Sequence, residues 1–259
     1  MTIDIAKADF IEGIAKGMAV LESFDTERQR LNATLAAERA GLTRAAARRH
    51  LLTLAHLGYL ETDGSYFWMS PKVLRFSGTY LSPSRLPRTL QPTLNRLAAQ
   101  TQEWFSVVVL DGDEVVIVAR SGTPSTPTRV LAYGLHLGAR LPAHAMSTGR
   151  VLLAAMSGAE LSRWLKGRTL PRLTPHTITQ AKTLRNEIAK VRAQDFCIAT
   201  EEHEIGVQAL AVPLRNMHGK TVAALNVVLS GTTIRSDAVL ERELLPLLQT
   251  AAHEVRSLL

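Results

Sequence analysis

The chain has 259 residues, 46% of them apolar and 20% charged, the balance of a folded globular protein with one large domain or two ordinary ones. Its longest apolar run is the six residues from Val151 to Met156, against the ~20 that a membrane helix requires, so no membrane span is expected. A single cysteine, Cys197, leaves no disulfide framework, and Asp4, Asp9 and Glu12 sit where a secretory leader would be apolar. A cytoplasmic location is the expectation.

The net charge is +7 with an isoelectric point near 9.9, and it is uneven. Residues 1–80 carry 10 basic and 9 acidic groups, residues 81–179 carry 11 and 5, and residues 180–259 carry 9 of each. A basic excess suits a polyanionic partner, but in the nearly neutral first segment the clustering of charge matters more than its sum.

Residues 14–24 place Ile14, Met18 and Leu21 at helical steps, with Ala15, Val20 and Phe24 beside them. A second helix fits Asn32 to Arg39, with Asn32 as N-cap and Gly41 as the stop. Thr43 caps a third, Arg44 to Leu57, ended by Gly58. Two helices joined by Ala40-Gly41-Leu42 have the spacing of a helix-turn-helix. In the third helix Ala47, Leu51, Leu54 and Leu57 form an apolar stripe, while Arg44, Ala45, Arg48 and Arg49 lie opposite, with no acid between Leu42 and Glu61. A small residue at the N-terminal end and arginines along one face are what reading base edges and phosphates requires. A surface helix that merely lacks acids would look similar; its place after a helix and an Ala-Gly turn favours recognition.

Tyr59 to Thr62 and Ser65 to Trp68 read as two strands around a type I′ turn at Asp63-Gly64. Three helices and a hairpin are the order of a winged helix, with Ser65 at the wing tip and Asp63 a source of repulsion against a phosphate backbone. The runs Ile14 to Leu21, Leu42 to Arg49 and Leu57 to Leu60 resemble the DNA-binding domain of IclR-type transcriptional regulators. Within that family the chain is most similar to the branch controlling aromatic-acid breakdown through the β-ketoadipate pathway, and the resemblance covers nearly the whole sequence.

A helical stretch from Lys72 to Leu81 leads to Ser82-Pro83-Ser84-Arg85-Leu86-Pro87, where two prolines punctuate the chain. The expected organisation is therefore a DNA-binding domain at 1–81, a linker at 82–87, and an effector-binding and oligomerisation domain at 88–259. In the last, helices fit 88–102, Ser147 to Met156, Ala159 to Leu165, Gln180 to Gln194 and Asp237 to Leu258. Strands fit Phe105 to Leu110, Val115 to Ala119, Arg129 to Tyr133, Ala209 to Leu214 and Thr221 to Leu229. Hairpins mixed with helices predict an α+β domain with an antiparallel sheet; the resemblance implies a GAF-like effector domain.

The segment Leu135 to Arg150 and the stretch Glu201 to Pro213, followed by Ala223 to Val228, are similar to the family's effector-binding sequences. Ser147, Thr148 and Gly149 open a helix whose free N–H groups favour a carboxylate. The resemblance implies effector contacts at Val130, Tyr133, Leu141, Ser147, Thr148, Val207, Ala209, Asn226 and Val228. Where some members carry cysteine or serine this chain has Ala209, and where some carry serine it has Val228, so that wall is less polar and Tyr133 adds an aromatic surface. An aromatic ring with one acidic arm fits this better than a two-carbon acid. Arg129 and Arg140 are both candidates to pair the carboxylate.

An enzyme is not expected. The sequence has no His-Glu-x-x-His, Gly-x-Ser-x-Gly or phosphate loop; Glu201, Glu202, His203 and Glu204 read as a solvated acidic turn and Cys197 as a small buried thiol. No cofactor or metal is expected. The competing reading is a winged helix that docks a protein, which would more often expose apolar residues where this one has arginines. The expected partners are double-stranded operator DNA, bound by a homodimer or homotetramer because one recognition helix covers a half-site, and a small aromatic or dicarboxylic acid.

Overall fold

The structure, a computed structural model, describes residues 5–25, 28–81, 85–121, 136–230 and 234–259. The chain divides into two compact units, Met1–Tyr80 and Leu81–Leu259. The first is a winged helix-turn-helix of α1 (Glu12–Glu22), α2 (Ala33–Ala40), α3 (Arg44–His56), the hairpin β1 (Leu60–Thr62) and β2 (Phe67–Met69), and α4 (Leu74–Leu81). Local chemistry sets its boundaries. Asn32 Oδ1 accepts from the amides of Thr34 and Leu35, both at 3.0 Å, and the Thr43 hydroxyl accepts from the Ala46 amide. Gly41 closes α2 at φ 63°, a left-handed conformation that strains a side chain. Val20, Leu31, Ala36, Ala47, Leu51, Leu60 and Phe67 form the core, and Leu31 bonds Phe67 through both backbone groups.

Three expectations change here. Leu57 is 49% exposed, because α3 ends at His56 and left-handed Gly58 (φ 78°) turns the chain away before the stripe can extend. On α1 the buried side is set by Val20, and Ile14 and Met18 face outward. The wing turn is not type I′, which needs positive φ at both central residues; among the described residues here only Gly64 has it. The Asp63 carboxylate instead accepts from the amides of Ser65 and Tyr66 at 3.0 and 2.8 Å, widening the loop to four residues between paired Thr62 and Phe67.

The second unit opens with α5 (Arg85–Thr101). Its first turn lies in the stretch expected as linker, since a proline in that turn loses no helical bond. A six-stranded antiparallel sheet follows in the order β5-β4-β3-β8-β7-β6. Its strands are β3 (Trp104–Asp111), β4 (Glu114–Arg120), β5 (Arg140–Pro142), β6 (Cys197–Thr200), β7 (Val207–Arg215) and β8 (Thr221–Ser230). Helices α6 (Ser147–Ala154), α7 (Gly158–Leu165) and α8 (Ala181–Gln194) precede β6, and α9 (Asp237–Glu243) and α10 (Leu245–Glu254) close the chain.

The sheet is covered on both faces, giving the α+β, GAF-like architecture. Phe105, Val107, Leu225 and Val227 pack with α5 and α10, while Val108, Ile117, Ala211 and Ala224 pack with α6 and α8. The expected single helix from Asp237 to Leu258 is broken at Leu244, because Pro246 lacks an N–H and its ring clashes with the carbonyl four residues back. The strand expected at Arg129 to Tyr133 lies outside the described residues. Among those described, no helix is long and apolar enough to cross a membrane.

Candidate functional sites

On α3, Arg44, Ala45, Arg48 and Arg49 are all exposed, held outward by the burial of Ala47, Leu51 and Leu54. Among the described residues none of the three arginines has an acidic partner, whereas Arg30 pairs with Asp63 and Arg39 with Asp25. Asn32, Arg44, Arg48 and Ser65 come together around a groove of about 400 Å³ between the start of α2, α3 and the wing. Thr43, Ala45 and Arg49 do not line it. The capping bonds revise two roles: the oxygens of Asn32 and Thr43 are occupied by helix amides, so toward a phosphate each has only its hydrogens to offer. Asp63 is a paired anion and not an isolated one. The amides of Tyr66 and Ser65, and then the Arg30 guanidinium at 2.7 Å, hold its carboxyl below the ordinary range. Arg30 in turn stacks 4.3 Å above the Trp68 ring.

The second site faces inward. Directly opposed residues on antiparallel strands share a face, so the register aligns Arg120, Ser106, Asn226 and Ala211 in one row across β4, β3, β8 and β7. The next row holds Trp104, Val228 and Ala209, and beyond it Val207 opposes Ser230. This is the face on which α6 lies, because Ala211, Ala224 and Val108 pack there against Val151 and Leu153. Ser147, Thr148 and Asn226 are each no more than 3% exposed, and Ser147 Oγ, Thr148 Oγ1 and Asn226 Oδ1 have no hydrogen-bond partner among the described residues. A buried polar atom without a partner costs about 1–3 kcal/mol; three of them lie on one helix start and the facing sheet, where a polar ligand would satisfy them. The N-cap of α6, Met146, supplies no side-chain bond to the helix amides.

A packed frame fixes that helix start. A Cβ on Gly149 would lie 2.0 Å from the Ala143 carbonyl oxygen, so only glycine lets α6 seat on the turn before it. Buried Arg150 donates from Nε to the His144 carbonyl at 3.0 Å and grips both Glu202 carboxylate oxygens. The Ile178 amide donates to Glu202 as well, and the hydroxyls of Thr174 and Thr177 hold the backbone carbonyls of Glu201 and Glu202. The expected solvated acidic turn is therefore corrected: Glu202 is the buried counter-ion of α6, with a side chain only 11% exposed.

Two expected effector residues are placed elsewhere. Arg140 points to the exposed side of β5, with Nε 2.7 Å from Glu114 and Nη2 2.8 Å from Asp111; one residue along an edge strand puts it on the opposite side from Leu141. Leu141 shares the α6 face but pairs with Val115 beside the β3–β4 turn, at the far end of that hairpin from Arg120. Val130, Tyr133 and Arg129 lie outside the described residues. The register also brings onto this face Trp104, Ser106 and Arg120, which the sequence does not single out. The signal available was a serine interrupting an apolar strand and an arginine ending one, and neither means anything until the register sets them beside Asn226. Cys197 is fully buried, its thiol pushed up to about 12 by desolvation. Among the described residues no group of His, Cys, Asp or Glu is arranged to hold a metal ion.

A basic helix turned outward in one unit and unsatisfied polar atoms turned inward in the other define a ligand-responsive DNA-binding regulator. Residues 13–64 match the IclR helix-turn-helix domain and residues 78–257 the bacterial transcriptional regulator IclR C-terminal domain. The chain belongs to the IclR family. It is 50% identical to the Pca operon regulatory protein of Acinetobacter baylyi, over 98% of this chain and 91% of that one. It is also 50% identical to that organism's p-hydroxybenzoate hydroxylase transcriptional activator, over 98% and 94%. A double mutant of the PobR inducer-binding domain from Acinetobacter, solved with 3-hydroxybenzoic acid, is 47% identical over 67% of this chain and 98% of its own, with a TM-score of 0.63.

Proposed function

We propose that this regulator controls an operon for aromatic-acid breakdown, acting on cytoplasmic DNA and responding to a small aromatic or dicarboxylic acid. Residues 1–81 hold the operator. Arg44, Arg48 and Arg49 contact bases and phosphates, and Asn32 and Ser65 lie along the same groove. Residues 88–259 bind the effector and assemble the homodimer or homotetramer that a two-half-site operator calls for. The chain works by binding and not by catalysis. The observation that carries the effector reading is the set of buried, unsatisfied oxygens of Ser147, Thr148 and Asn226 beside apolar Val228 and Ala209. The relatives are a Pca operon regulator, a p-hydroxybenzoate hydroxylase activator and an inducer-binding domain solved with a hydroxybenzoic acid, and this supports the aromatic class.

The test is a thermal-shift screen with 4-hydroxybenzoate, protocatechuate and β-ketoadipate. A ligand at about 100 times its dissociation constant adds ~2.7 kcal/mol to native stability. At least one acid should raise the melting temperature and change the affinity for operator DNA, since an effector acts only through a difference in binding between two states. No shift with any of the three would refute the assignment.

A further inference from the structure

The tip of the wing carries a fixed negative charge. Asp63 directly precedes Gly64 and Ser65, which line the groove with Arg44 and Arg48, so a duplex seated in that groove passes close to its carboxylate. The amides of Tyr66 and Ser65 hold that carboxyl below the ordinary range, so it is ionised wherever the protein works. Unpaired, it would repel a phosphate backbone. Resting on the DNA-binding reading above, we infer that Arg30 is a positioning residue of the wing, a built-in counter-ion that cancels the charge of Asp63 and lets the hairpin approach DNA.

Three observations lead to this role. The first is placement. Leu31 is bridged antiparallel to Phe67 through both backbone groups, which adds a short third strand to the hairpin and sets Arg30 beside Trp68. The indole Nε1–H donates to Glu61 Oε2 at 3.0 Å, the Arg30 guanidinium lies 4.3 Å over the indole ring, and its Nη2 donates to Asp63 Oδ2 at 2.7 Å. Glu61 thus orients Trp68, and Trp68 carries the guanidinium to the wing tip. The second is energetic. Arg30 and Asp63 are both about half exposed, and an exposed pair adds little to stability in water. A long side chain nonetheless loses rotamer freedom when a ring and a carboxylate hold it in one place, so the arrangement answers to something other than the fold. The third is the turn itself. The wing needs an acceptor at position 63 for the amides of Ser65 and Tyr66, and with aspartate there a charge comes with the turn. Arg30 removes the consequence of that charge for DNA while the turn keeps its bonds. The arginines of α3, which have no acidic partner among the described residues, are left to meet the duplex directly.

The experiment is a charge cycle on the full chain: wild type, Arg30→Gln, Arg30→Lys, Asp63→Asn and the double variant Arg30→Gln with Asp63→Asn. The probe is a labelled duplex selected from a random-sequence library on the wild-type protein, and its binding is followed by fluorescence anisotropy across a salt series. Melting curves of the free proteins serve as the folding control, and asparagine at 63 keeps an acceptor for the wing amides. Arg30→Gln should weaken binding roughly tenfold at low salt, the scale of one like-charge approach that is no longer cancelled, and lower the salt slope by about one. Arg30→Lys, which keeps a cation within reach of Asp63, should retain most of the affinity. Asp63→Asn alone should bind at least as tightly as wild type, and the double variant should return to wild-type affinity and slope. Rescue by a second loss of charge is the result that a purely structural role would not give. If Arg30→Gln binds as wild type does, the inference is overturned. If the double variant stays as weak as Arg30→Gln, Arg30 meets the DNA itself and the inference is again overturned. Failure of the wild type to select any duplex would instead remove the DNA-binding reading on which the inference rests.

Discussion

On α3 three arginines stand in solvent with no acidic partner among the described residues, whereas on α6 Arg150 is buried with its guanidinium on Glu202. The residue type is the same and the roles are opposite. An exposed arginine is cheap to keep charged and stays ready for a partner that arrives from outside, such as a phosphate or a guanine edge. A buried one must have its partner built in, because desolvating an isolated charge costs far more than a domain can spare. Arg150 is thus framework, and the buried oxygens that lack partners among the described residues, on Ser147, Thr148 and Asn226, are the ones proposed to meet the effector. In the first unit the proposed function rests on unpaired charge at the surface; in the second it rests on unmet hydrogen bonds in the interior.

Removing one side of the buried pair should have the largest effect. Glu202→Gln leaves the Arg150 cation without its counter-ion and should destabilise the effector unit by ~3–5 kcal/mol. Replacing both, Arg150→Met with Glu202→Leu, should restore most of that loss. Differential scanning calorimetry of the full chain measures both variants. A double variant as unstable as the single one would mean that the pair's bonds to the His144 carbonyl and the Ile178 amide carry the stability.

Next in size is Gly149→Ala. The new methyl group would meet backbone, the Ala143 carbonyl oxygen at 2.0 Å and its Cα at 2.5 Å, so no side chain can rotate away. Overpacking of this kind costs about 3 kcal/mol. Because the clash sits at the start of α6, effector affinity should fall along with stability. A variant with wild-type melting and wild-type effector binding would show that the turn at 143–145 yields more easily than its packing implies.

The arginines of α3 come third, and they sharpen the contrast because their loss should leave stability untouched. Singly replaced by alanine, a base-reading arginine should cost ~1–3 kcal/mol of operator affinity and relax specificity at one position. A phosphate-contacting one should weaken all sequences alike and lower the salt slope by about one. Fluorescence anisotropy of a labelled operator duplex across a salt series separates the two. Unchanged binding by the Arg44, Arg48 and Arg49 triple-alanine protein would remove α3 as the recognition helix.

The same contrast decides how much was legible in the sequence. Asn32, Gly41, Thr43 and the alternation of Leu51 with Arg48 and Arg49 are neighbours along the chain, and local rules about caps, left-handed turns and helical periodicity read them directly. The wing turn was misread because the signal at Asp63-Gly64 competed with a side chain that could bond the amides of Ser65 and Tyr66. The inward-facing row of the sheet is non-local. Arg120, Ser106 and Asn226 are drawn from three strands, and only the register of the sheet makes them a row. Arg140 looked as promising as any arginine near the effector motif; one position on an edge strand sent it to the opposite side. Glu202 gave no sign that it would be the buried acid among its neighbours, since that depends on Arg150, 52 residues earlier.

The smallest effect tests whether Asn32 serves structure, DNA or both. Its Oδ1 caps α2 by accepting from Thr34 and Leu35, and it lines the groove with Arg44 and Arg48. Asn32→Ala removes the cap and should cost ~1 kcal/mol of stability in the first unit. Asn32→Asp keeps an acceptor of the same length at the same place and adds negative charge at a helix N-terminus, so stability should stay within a few tenths of a kcal/mol of wild type. The carboxylate has lost the Nδ2 hydrogens, however, and would face any phosphate seated in the groove. If the groove holds DNA backbone, Asn32→Asp should weaken operator binding more than Asn32→Ala does, and more steeply at low salt, although it is the more stable protein. Binding that instead follows stability across the two variants would make Asn32 a cap and nothing more, and would confine the DNA surface of this unit to the arginines of α3.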